Sequence, residues 1–458
     1  MSFQSTIPPP VLPPLDPATS RILIVGAGVF GLSTAYHLQE DGFKDITILD
    51  KADELPALDA ASTDINKVVR SIYADSFYTR LARDAIARWK EPMWEGCYHE
   101  SSVLLIGRAL TDKSYENDFA EGARVTLLPN AEKIRSAFPD SLHRIPEHER
   151  PLQHRLLGDF SNYTGYINLD GGWVEATRSV KILLGIVIAR GAKVESGKEV
   201  LTLLNSNADG SGYTCGAMCV DGSMYCADQV ILAAGSWTAS SFPGLELDQR
   251  CLASGQSLAF LQLTPEESER YRKSPVVMDF RTGFYVLPPN KDNVIKTGLH
   301  AAGHTHMVTP SAFRFSFANA TLVPRKISTP RTVLSHPEGS DGLRDCLRVV
   351  YPDLAEKPWA GTRMCWYTDS PDSDWVIGQF PGDPGLFLAT SGSGHGFKFL
   401  PNVGRIVVDI LRGRADATTE AKFAVDRGLS EALNTERVDK YPEELVPEEL
   451  CGPEDMLP

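Results

Sequence analysis

The feature that most constrains this chain is a strand, glycine turn, helix and second strand near its N-terminus. Arg21–Val25 is short, apolar and β-branched, which predicts a buried strand. It continues into residues 26–31, a turn with glycine at its first, third and sixth positions, and then into residues 32–40, whose apolar spacing predicts a helix. Asp45–Leu49 predicts the second strand, and Asp50 follows at its carboxyl end. A complete βαβ unit is therefore expected, which requires a parallel sheet.

Each glycine of this turn has a physical reason. Gly26 permits the tight turn, Gly28 lets the backbone approach a pyrophosphate, and Gly31 lets helix and strand pack closely. The helix N-terminus attracts the anion, and an acid about 20 residues further on accepts a ribose hydroxyl. We predict a dinucleotide site here, the alternative being a glycine-rich turn that binds nothing. The cofactor-binding residues predicted in this unit are Gly26, Gly28, Val29, Phe30, Gly31, Asp50 and Lys51.

A second apolar stretch, residues 227–237, bears on which dinucleotide is bound. It predicts a strand ending in a small-residue turn, and it resembles the second conserved stretch of two-domain FAD oxidoreductases, which nicotinamide dehydrogenases do not need. Residues 171–189 predict a helix, and residues 191–194 resemble the strand that precedes this stretch in such proteins. The interleaved order implies an α/β fold, α+β overall, with a discontinuous Rossmann-like FAD-binding domain. Val194, Ala234 and Gly235 are further predicted cofactor contacts.

The remaining segments lack βαβ patterning and are richer in proline, arginine and mixed charge. They predict a substrate domain with a mainly antiparallel sheet, formed by residues 100–154 and 241–354. The FAD-binding domain then comprises residues 21–99, 155–240 and 355–425. Residues 1–20, with six prolines, predict a flexible leader, and residues 426–458 predict an acidic, solvated tail.

Composition narrows the partners and the compartment. The 458 residues include 45 Lys and Arg against 59 Asp and Glu, a net charge of −14, which disfavours nucleic acid as a partner. The longest strongly apolar run, residues 182–189, is too short for a membrane span, which needs about 20 such residues. The eight cysteines form no CxxC pair and no zinc pattern, which predicts free thiols and no metal site. Because a secretory signal and a peroxisomal Ser-Lys-Leu type of signal are both missing, we predict a cytoplasmic protein.

Four separated stretches together resemble one family. They are the glycine turn; residues 64–73, DINKVVRSIY; residues 283–300, which begin GFY and end KTGLH; and residues 363–399, which contain RMCWYTD and SGSGHGFKF. The combination is similar to the flavin-dependent amine oxidases, a group that includes sarcosine oxidases, pipecolate and saccharopine oxidases and fructosyl amino acid oxidases. It spans residues 21–412 and is far more specific than any one of its parts.

The resemblance implies redox roles for three residues. Cys365 matches the thiol that forms a thioether with the flavin 8α-methyl group, whereas an unpaired cysteine is otherwise most often a small buried hydrophobe. Lys296, within an apolar strand, matches the lysine that lies near flavin N5 and helps oxygen react; the alternative is a solvated lysine at a strand edge. Lys67 falls where relatives carry arginine or lysine near the flavin face.

The resemblance also implies a carboxylate anchor. Arg70 and Lys398 match the positions that hold the carboxylate of an N-alkyl amino acid, arginine as a planar fork and lysine as a point charge. Taken singly, each is equally typical of a surface salt bridge. His300, Tyr285 and Tyr367 match positions that line the cavity or contact the amine, although a buried histidine or core tyrosine is the commoner role of such residues. Cofactor contacts are also expected from Lys67, Cys365, Gly394, Gly396, Phe397 and Lys398.

The implied reaction is the FAD-dependent oxidation of a secondary-amine amino acid, such as sarcosine, an N-methyl amino acid, saccharopine or pipecolate. A hydride passes to flavin N5, the resulting imine is hydrolysed, and O2 is reduced to H2O2. His395 replaces an arginine of the fructosyl amino acid oxidases, and Arg281 replaces their sugar-contacting glutamate, so both argue against a sugar adduct. Arg281 then either meets a second substrate carboxylate or lies in solvent.

Several alternatives stay open. A fructosyl amino acid oxidase, or an amine oxidase that tailors secondary metabolites, would have the same fold. A flavin-binding protein without turnover would leave Lys296, Arg70 and Lys398 unexplained, and Lys296 also argues against a dehydrogenase that uses another acceptor. The expected partners are the amino acid and O2, with the chain as a monomer or small homo-oligomer.

Overall fold

A computed structural model describes residues 11–107, 113–143, 155–207, 212–308, 327–328, 337–428, 442–445, 451 and 454–457. The strands are β1 (Arg21–Val25), β2 (Asp45–Leu49), β3 (Lys67–Val69), β4 (Tyr98–His99), β5 (Val103–Gly107), β6 (Val125–Leu128), β7 (Thr164–Asn168), β8 (Gly172–Val174), β9 (Lys193–Glu195), β10 (Val200–Asn205), β11 (Thr214–Cys219), β12 (Met224–Cys226), β13 (Gln229–Leu232), β14 (Leu252–Gln262), β15 (Val276–Asp279), β16 (Phe284–Val286), β17 (Val294–Leu299), β18 (His304–Thr305), β19 (Met307–Val308), β20 (Ile327–Ser328), β21 (Gly361–Asp369), β22 (Val376–Gln379), β23 (Leu386–Thr390) and β24 (Glu443–Glu444). The helices are α1 (Val29–Glu40), α2 (Ser76–Trp89), α3 (Lys113–Ala120), α4 (Ala131–Arg135), α5 (Ala176–Ala189), α6 (Thr238–Ser241), α7 (Pro265–Tyr271), α8 (Pro337–Val350), α9 (Pro352–Ala355), α10 (Val403–Leu411) and α11 (Ala417–Phe423).

One sheet is built around the first strand and has the order β22-β23-β13-β1-β2-β9. Its strands are parallel except for β22, which runs antiparallel to β23. The predicted βαβ unit is confirmed, with both strands at the predicted residues and the helix beginning slightly earlier, at Val29. Fully buried apolar side chains from β1, α1 and β2, among them Ile24, Leu32 and Ile48, form the core on one face. Since both faces of the sheet are covered, β1 is apolar from residue 22 to residue 25 instead of alternating with polar residues.

A larger sheet has the order β24-β18-β14-β17-β16-β15-β5-β7-β6, with β21 also paired to β14. It is mainly antiparallel, as predicted, and its parallel exceptions are β5 with β15 and β18 with β24. The fold class is therefore confirmed. The long strand β14 is central to this sheet because it pairs with β17 over one part of its length and with β21 over most of it.

Two strands lie in a different sheet from the one their segments suggested. Both β7 and β21 belong to segments predicted for the FAD-binding domain, yet both pair within the larger sheet. The pairing of β14 with β21 joins residues separated by about 100 positions, and local periodicity carries no information on such contacts. The domain boundaries themselves stay a prediction.

The two ends of the chain are more closely packed than their composition suggests. Within the predicted leader, the carbonyl of Leu15 accepts a hydrogen bond from Arg412, and Lys44 donates to the carbonyl of Pro17. Within the predicted tail, Leu445 and Cys451 are buried. These residues contact the rest of the chain, while the flexible leader and the solvated tail stay predictions, since residues 1–10 and most of 429–453 lie outside the described part of the chain.

Among the described residues, none of the helices combines the length and the apolar character that crossing a membrane requires. The cytoplasmic location and the oligomeric state stay predictions.

Candidate active site

A cavity of about 350 Å³ lies where the two large sheets meet. One side of it is formed by the carboxyl ends of β1, β2, β13 and β23, the edge at which open α/β sheets bind ligands. The other side is formed by side chains of the larger sheet, including Tyr285, Lys296 and Tyr367. The cavity therefore joins the predicted dinucleotide turn to the predicted redox residues.

The glycine turn packs so closely that side chains are excluded at two positions. Gly26 has a φ of +112°, and a Cβ there would lie 2.4 Å from the carbonyl oxygen of Ala233. A Cβ on Gly31 would lie 1.9 Å from the carbonyl oxygen of Gly26. Gly28, in contrast, has Ser62 Oγ as its nearest neighbour at 3.6 Å and lines the cavity. The first and third glycines thus shape the turn, while the second leaves space on the cavity side, as the motif predicts.

Asp50 supports this turn from the end of β2. Its carboxylate accepts hydrogen bonds from the backbone N–H groups of Ala27, at 2.8 Å, and Ala52, at 3.0 Å. Beside it, the Lys51 ammonium lies 4.0 Å from the centre of the Trp237 ring. Of the predicted cofactor contacts, the structure brings Gly26, Gly28, Val29, Phe30, Asp50, Lys51, Lys67, Ala234, Gly235, Gly394, Gly396, Phe397 and Lys398 to the cavity wall; Gly31, Val194 and Cys365 do not line it.

Three charged side chains form a cluster at one end of the cavity, which we call the redox end after the role predicted for Lys296. The Lys296 ammonium, on β17, donates to the Asp64 carboxylate at 2.5 Å and to the carbonyl of Asn66 at 2.9 Å. Lys67 shares the same Asp64 oxygen at 3.0 Å. Lys296 and Asp64 are each only 1% exposed at the side chain, so the strand does not place this lysine in solvent.

The pKa values of the cluster follow from burial and mutual attraction. Burial, with the charge of Lys67, lowers the pKa of Lys296 to about 8, although Asp64 opposes the shift. For Asp64, burial would raise the pKa, but the two lysines outweigh it and hold the pKa well below its usual range. For Lys67, burial would lower the pKa, but Cys365 and Asp64 raise it above its ordinary value.

Cys365 lies just beneath the cavity wall. Its Sγ is 3.6 Å from Lys67 Nζ, and the residue is 1% exposed. Because side chains alternate along a strand, Cys365 and Tyr367 on β21 face the same side, and Tyr367 lines the cavity. The predicted thiol is therefore in the layer directly behind Lys67.

Aromatic side chains surround the centre of the cavity. The rings of His300 and Tyr367 have centroids 5.9 Å apart, and the Lys296 ammonium lies 5.9 Å from the Tyr285 ring centre. Gly394, with a φ of +71°, passes between the first two: a Cβ there would lie 2.7 Å from both His300 and Tyr367. The structure thus brings all three predicted aromatic residues to one wall.

Two buried cations converge at another part of the cavity. Arg70 and Lys398 are 8% and 5% exposed. The Arg70 guanidinium carbon lies 4.7 Å from the centre of the Tyr73 ring, and the Lys398 ammonium lies 5.0 Å from the same centre. Arg70 also donates to the carbonyl of Ile72. Both predicted anchor residues are therefore buried at the cavity wall, not on the surface.

Arg281 does not reach the cavity. Its guanidinium lies 3.4 Å from the centre of the Tyr163 ring and 3.3 Å from the Asp279 carboxylate, and it does not line the wall. The idea that it meets a second substrate carboxylate has no support from this geometry.

Sequence reasoning missed Asp64, Tyr73 and the buried side chain of Asn66. All three belong to the quoted stretch 64–73, so the motif itself contained them. A signal was available for Asp64, since an acid three residues before Lys67 is spaced for a local ion pair. Tyr73 gave none, because the partners of its hydroxyl group, His395 and Lys398, are distant in sequence.

Comparison with known proteins agrees with this geometry. The model of the family described as DAO, FAD dependent oxidoreductase, matches residues 21–410. The chain belongs to this family.

Relatives within the FAD-dependent oxidoreductases cover nearly the whole chain. L-saccharopine oxidase of Schizosaccharomyces pombe is 29% identical, over 88% of this chain and 92% of its own. Monomeric sarcosine oxidase of a Bacillus species is 24% identical, over 90% of this chain and 97% of its own. The solved structure of fructosyl peptide oxidase from E. terrenum has a TM-score of 0.81 at 25% identity, over 96% of this chain and 98% of its own.

The residues present fit the cofactor of an FAD-dependent oxidoreductase. Space is open beside Gly28 at the N-terminus of α1, where a pyrophosphate is favoured. At the redox end, the amide of Asn66 is fully buried, and neither its nitrogen nor its oxygen has a hydrogen-bond partner. Since buried amides are nearly always paired, an unpaired one beside Lys67 is the expected state of a site that binds a polar ring.

Proposed function

We propose that this protein oxidises amino acids whose nitrogen is a secondary amine, using FAD, and passes the electrons to O2 to form H2O2. The observation that carries the proposal is the pair of buried cations, Arg70 and Lys398, in the same cavity as the dinucleotide turn. Two buried cations that line one cavity favour an anionic group in the ligand, because each would gain a charge-assisted hydrogen bond from it.

In this proposal the substrate carboxylate binds between Arg70 and Lys398. The guanidinium offers paired donors in a plane, and the ammonium adds a point charge from the side. Tyr73, which both cations contact, fixes the distance between them. The carboxylate therefore sets the position of the amine relative to His300, Tyr285 and Tyr367.

The remaining residues exclude water and hold protons. FAD, when bound, accepts the hydride from the carbon next to the amine. The aromatic wall of Tyr285, Tyr367 and His300 shields that carbon from solvent. Lys296 holds a positive charge, fixed by Asp64, that stabilises negative charge developing on oxygen.

The substrates after which the three relatives are named support the substrate class. Saccharopine and sarcosine are amino acids with a secondary amine, and a fructosyl peptide carries its sugar on a secondary amine as well. The relatives thus share the reacting group, while what is attached to it differs. A fructosyl substrate remains the second candidate, favoured by the likeness to the fructosyl peptide oxidase structure.

We propose further that the FAD is covalently bound through Cys365: a C–S bond would replace one C–H bond of the flavin 8α-methyl group, and O2 would accept the two electrons released. The thiol faces the cavity side of β21 and contacts Lys67, a cation that would stabilise the thiolate needed for bond formation. Acid precipitation of the purified yellow protein tests this: flavin should stay with the pellet for the wild type and move to the supernatant for Cys365→Ser. Free flavin from the wild type would contradict the covalent link.

The function itself is tested by H2O2 production from sarcosine, N-methyl amino acids, L-pipecolate, L-saccharopine, L-proline and a fructosyl amino acid. Activity is expected with one or more of the non-sugar amines, and Lys398→Met should raise KM for those substrates. Activity confined to the fructosyl compound would establish the second candidate. If no compound yields peroxide but one bleaches the flavin anaerobically, the amine oxidation stands and O2 is not the acceptor.

A further inference from the structure

A chain of hydrogen bonds runs behind the two anchor cations. Lys398 Nζ donates to Tyr73 Oη at 2.6 Å and to the carbonyl of His395 at 2.9 Å. Tyr73 Oη lies 3.1 Å from His395 Nδ1, and His395 Nε2 lies 2.9 Å from the carbonyl oxygen of Ser373. His395 thus connects the backbone carbonyl of Ser373 to the Tyr73 hydroxyl, which accepts a hydrogen bond from the Lys398 ammonium.

The partners decide which group donates at each step. A carbonyl oxygen only accepts, so His395 Nε2 carries a hydrogen and donates it to Ser373. In a neutral imidazole the other nitrogen, Nδ1, is then an acceptor, and the Tyr73 hydroxyl donates to it. The Tyr73 oxygen therefore turns its lone pairs toward Lys398, which can only donate.

The histidine ring is held by aromatic neighbours. Its centroid lies 4.9 Å from that of Tyr78, in an edge-on arrangement, and 5.7 Å from that of Trp375, in a stacked one. Phe399 closes the third side at 6.3 Å. Trp375 and Phe399 are fully buried and do not line the cavity, so the ring packs against fixed neighbours of the core.

We propose that His395 is a positioning residue for the substrate carboxylate. By accepting the Tyr73 hydroxyl proton it directs the tyrosine oxygen at Lys398, and so fixes the ammonium opposite Arg70. The inference rests on the proposed function, in which Arg70 and Lys398 form the carboxylate anchor.

Charged groups lie on two sides of this chain of hydrogen bonds. Lys398 and Arg70 lie on the cavity side of Tyr73. Behind it, the Tyr78 hydroxyl donates to Asp374, which is paired with Lys422. The role proposed for His395 is to accept a hydrogen bond, and it needs no change in protonation of any of these groups.

Two substitutions separate the hydrogen bond from packing. His395→Phe keeps a ring among the aromatic neighbours but has no acceptor for Tyr73. In His395→Asn the amide oxygen occupies the position of Nδ1 and can accept the same hydrogen bond, without the ring. The matched control is His99→Phe, since His99 also stacks on an aromatic ring, that of Trp173, but lies outside the cavity wall.

The measurement is the binding of propionate, a carboxylate without an amine, to the oxidised holoenzyme by titration calorimetry. His395→Phe should weaken propionate binding about tenfold, whereas His395→Asn should stay within about twofold of the wild type. In turnover with the active amine, His395→Phe should raise KM by a similar factor and change kcat little. Wild-type affinity in His395→Phe, or equal losses in the Phe and Asn variants, would overturn the positioning role.

A second variant keeps the proposal testable if His395→Phe folds poorly. Tyr73→Phe removes only the hydroxyl group and should weaken propionate binding about tenfold as well. Wild-type propionate affinity in Tyr73→Phe would overturn the proposal. Failure of the proposed function would give a different result. The wild type and Lys398→Met would then bind propionate with equal affinity, and both proposals would be wrong.

Discussion

At the scale of single residues, the unusual feature is one carboxylate shared by two lysines. Asp64 accepts from Lys296 and Lys67 through the same oxygen, and its other oxygen accepts from the backbone of Ile65 at 2.8 Å. The cluster therefore has a net positive charge in a buried place. Such an arrangement costs stability unless a negative group or an electron-rich ring lies near it.

The pKa of Lys296 predicts how the oxygen reaction depends on pH. With a pKa of about 8, Lys296 is charged below that pH and neutral above it. We expect the rate at which O2 reoxidises the reduced enzyme to fall as pH rises through 8. Lys296→Met should be about a hundredfold slower and independent of pH in this range, measured by stopped-flow absorbance. The control is Lys181→Met, since Lys181 is an exposed lysine on α5. If the reoxidation rate of the wild type does not depend on pH, the role assigned to Lys296 is wrong.

Asp64→Asn should shift that profile and weaken the fold. Without the shared anion the two lysines repel, so the pKa of Lys296 should fall below 8 and the reoxidation profile with it. Leaving two buried cations unpaired should cost about 3–5 kcal/mol in urea unfolding at pH 7. Folding lowers the pKa of Asp64, so the stability that its charge contributes is fully present above the unfolded pKa of about 4 and is lost in acid. The difference in unfolding free energy between Asp64→Asn and the wild type should therefore become smaller in acid.

Asp279→Asn is the comparison for this variant. Asp279 is also buried and also paired with a cation, Arg281, but outside the cavity. Its substitution should leave the reoxidation profile in place. A profile displaced equally by both substitutions would mean that the shift reports general destabilisation.

At the scale of elements, two glycines in helices should respond in opposite ways to alanine. Gly31→Ala places a methyl group on the Gly26 carbonyl, so we expect loss of FAD binding and a lower melting temperature. Gly185→Ala, at an exposed position of α5 with nothing within 4 Å, should instead stabilise the protein by about 0.5–1 kcal/mol. Scanning calorimetry gives the melting temperature of both variants, and absorbance gives their FAD content. A Gly31→Ala protein with full FAD content would contradict the prediction.

Elements of this local kind were the ones that the sequence could predict. Both strands of the unit β1-α1-β2 were predicted at the observed residues and its helix with a later start, because glycine spacing and apolar runs act within about 30 positions. The strand that carries Lys296 was also predicted, but not the burial of its ammonium, which depends on Asp64 from a distant segment. Likewise, the link between Tyr73 and His395 joins residues more than 300 positions apart, and no local pattern encodes it.

At the scale of the whole molecule, the last described segments tie the larger sheet together. Glu443–Glu444 pairs with His304–Thr305 at the sheet edge. The buried Arg344 donates to the carbonyls of Ala355, Lys357, Met456 and Leu457, with the Trp359 ring 4.6 Å from its guanidinium. One side chain thus holds the C-terminal residues against α8 and α9.

Ending the chain after residue 442 should therefore destabilise the larger sheet. The truncation removes two of the four Arg344 acceptors, the partner of the Trp359 backbone N–H and the buried Leu445. We expect a loss of about 2–4 kcal/mol, read from urea unfolding. Arg344→Met should give a loss of similar size, and the truncation should add little to it. Unchanged stability on truncation would show that these contacts are not maintained in solution.

The position of β1 in its sheet has a consequence for how the protein is made. Its neighbours are β2, which leaves the ribosome shortly after it, and β13, which is synthesised roughly 200 residues later. At about 5–20 residues per second that interval is roughly 10–40 s, during which one edge of an apolar strand has no partner. The strand outside β13 follows later still, at Leu386–Thr390. The sheet built around β1 is thus begun first and completed only near the end of translation, so its central strand β13 is among the last to gain both of its partners.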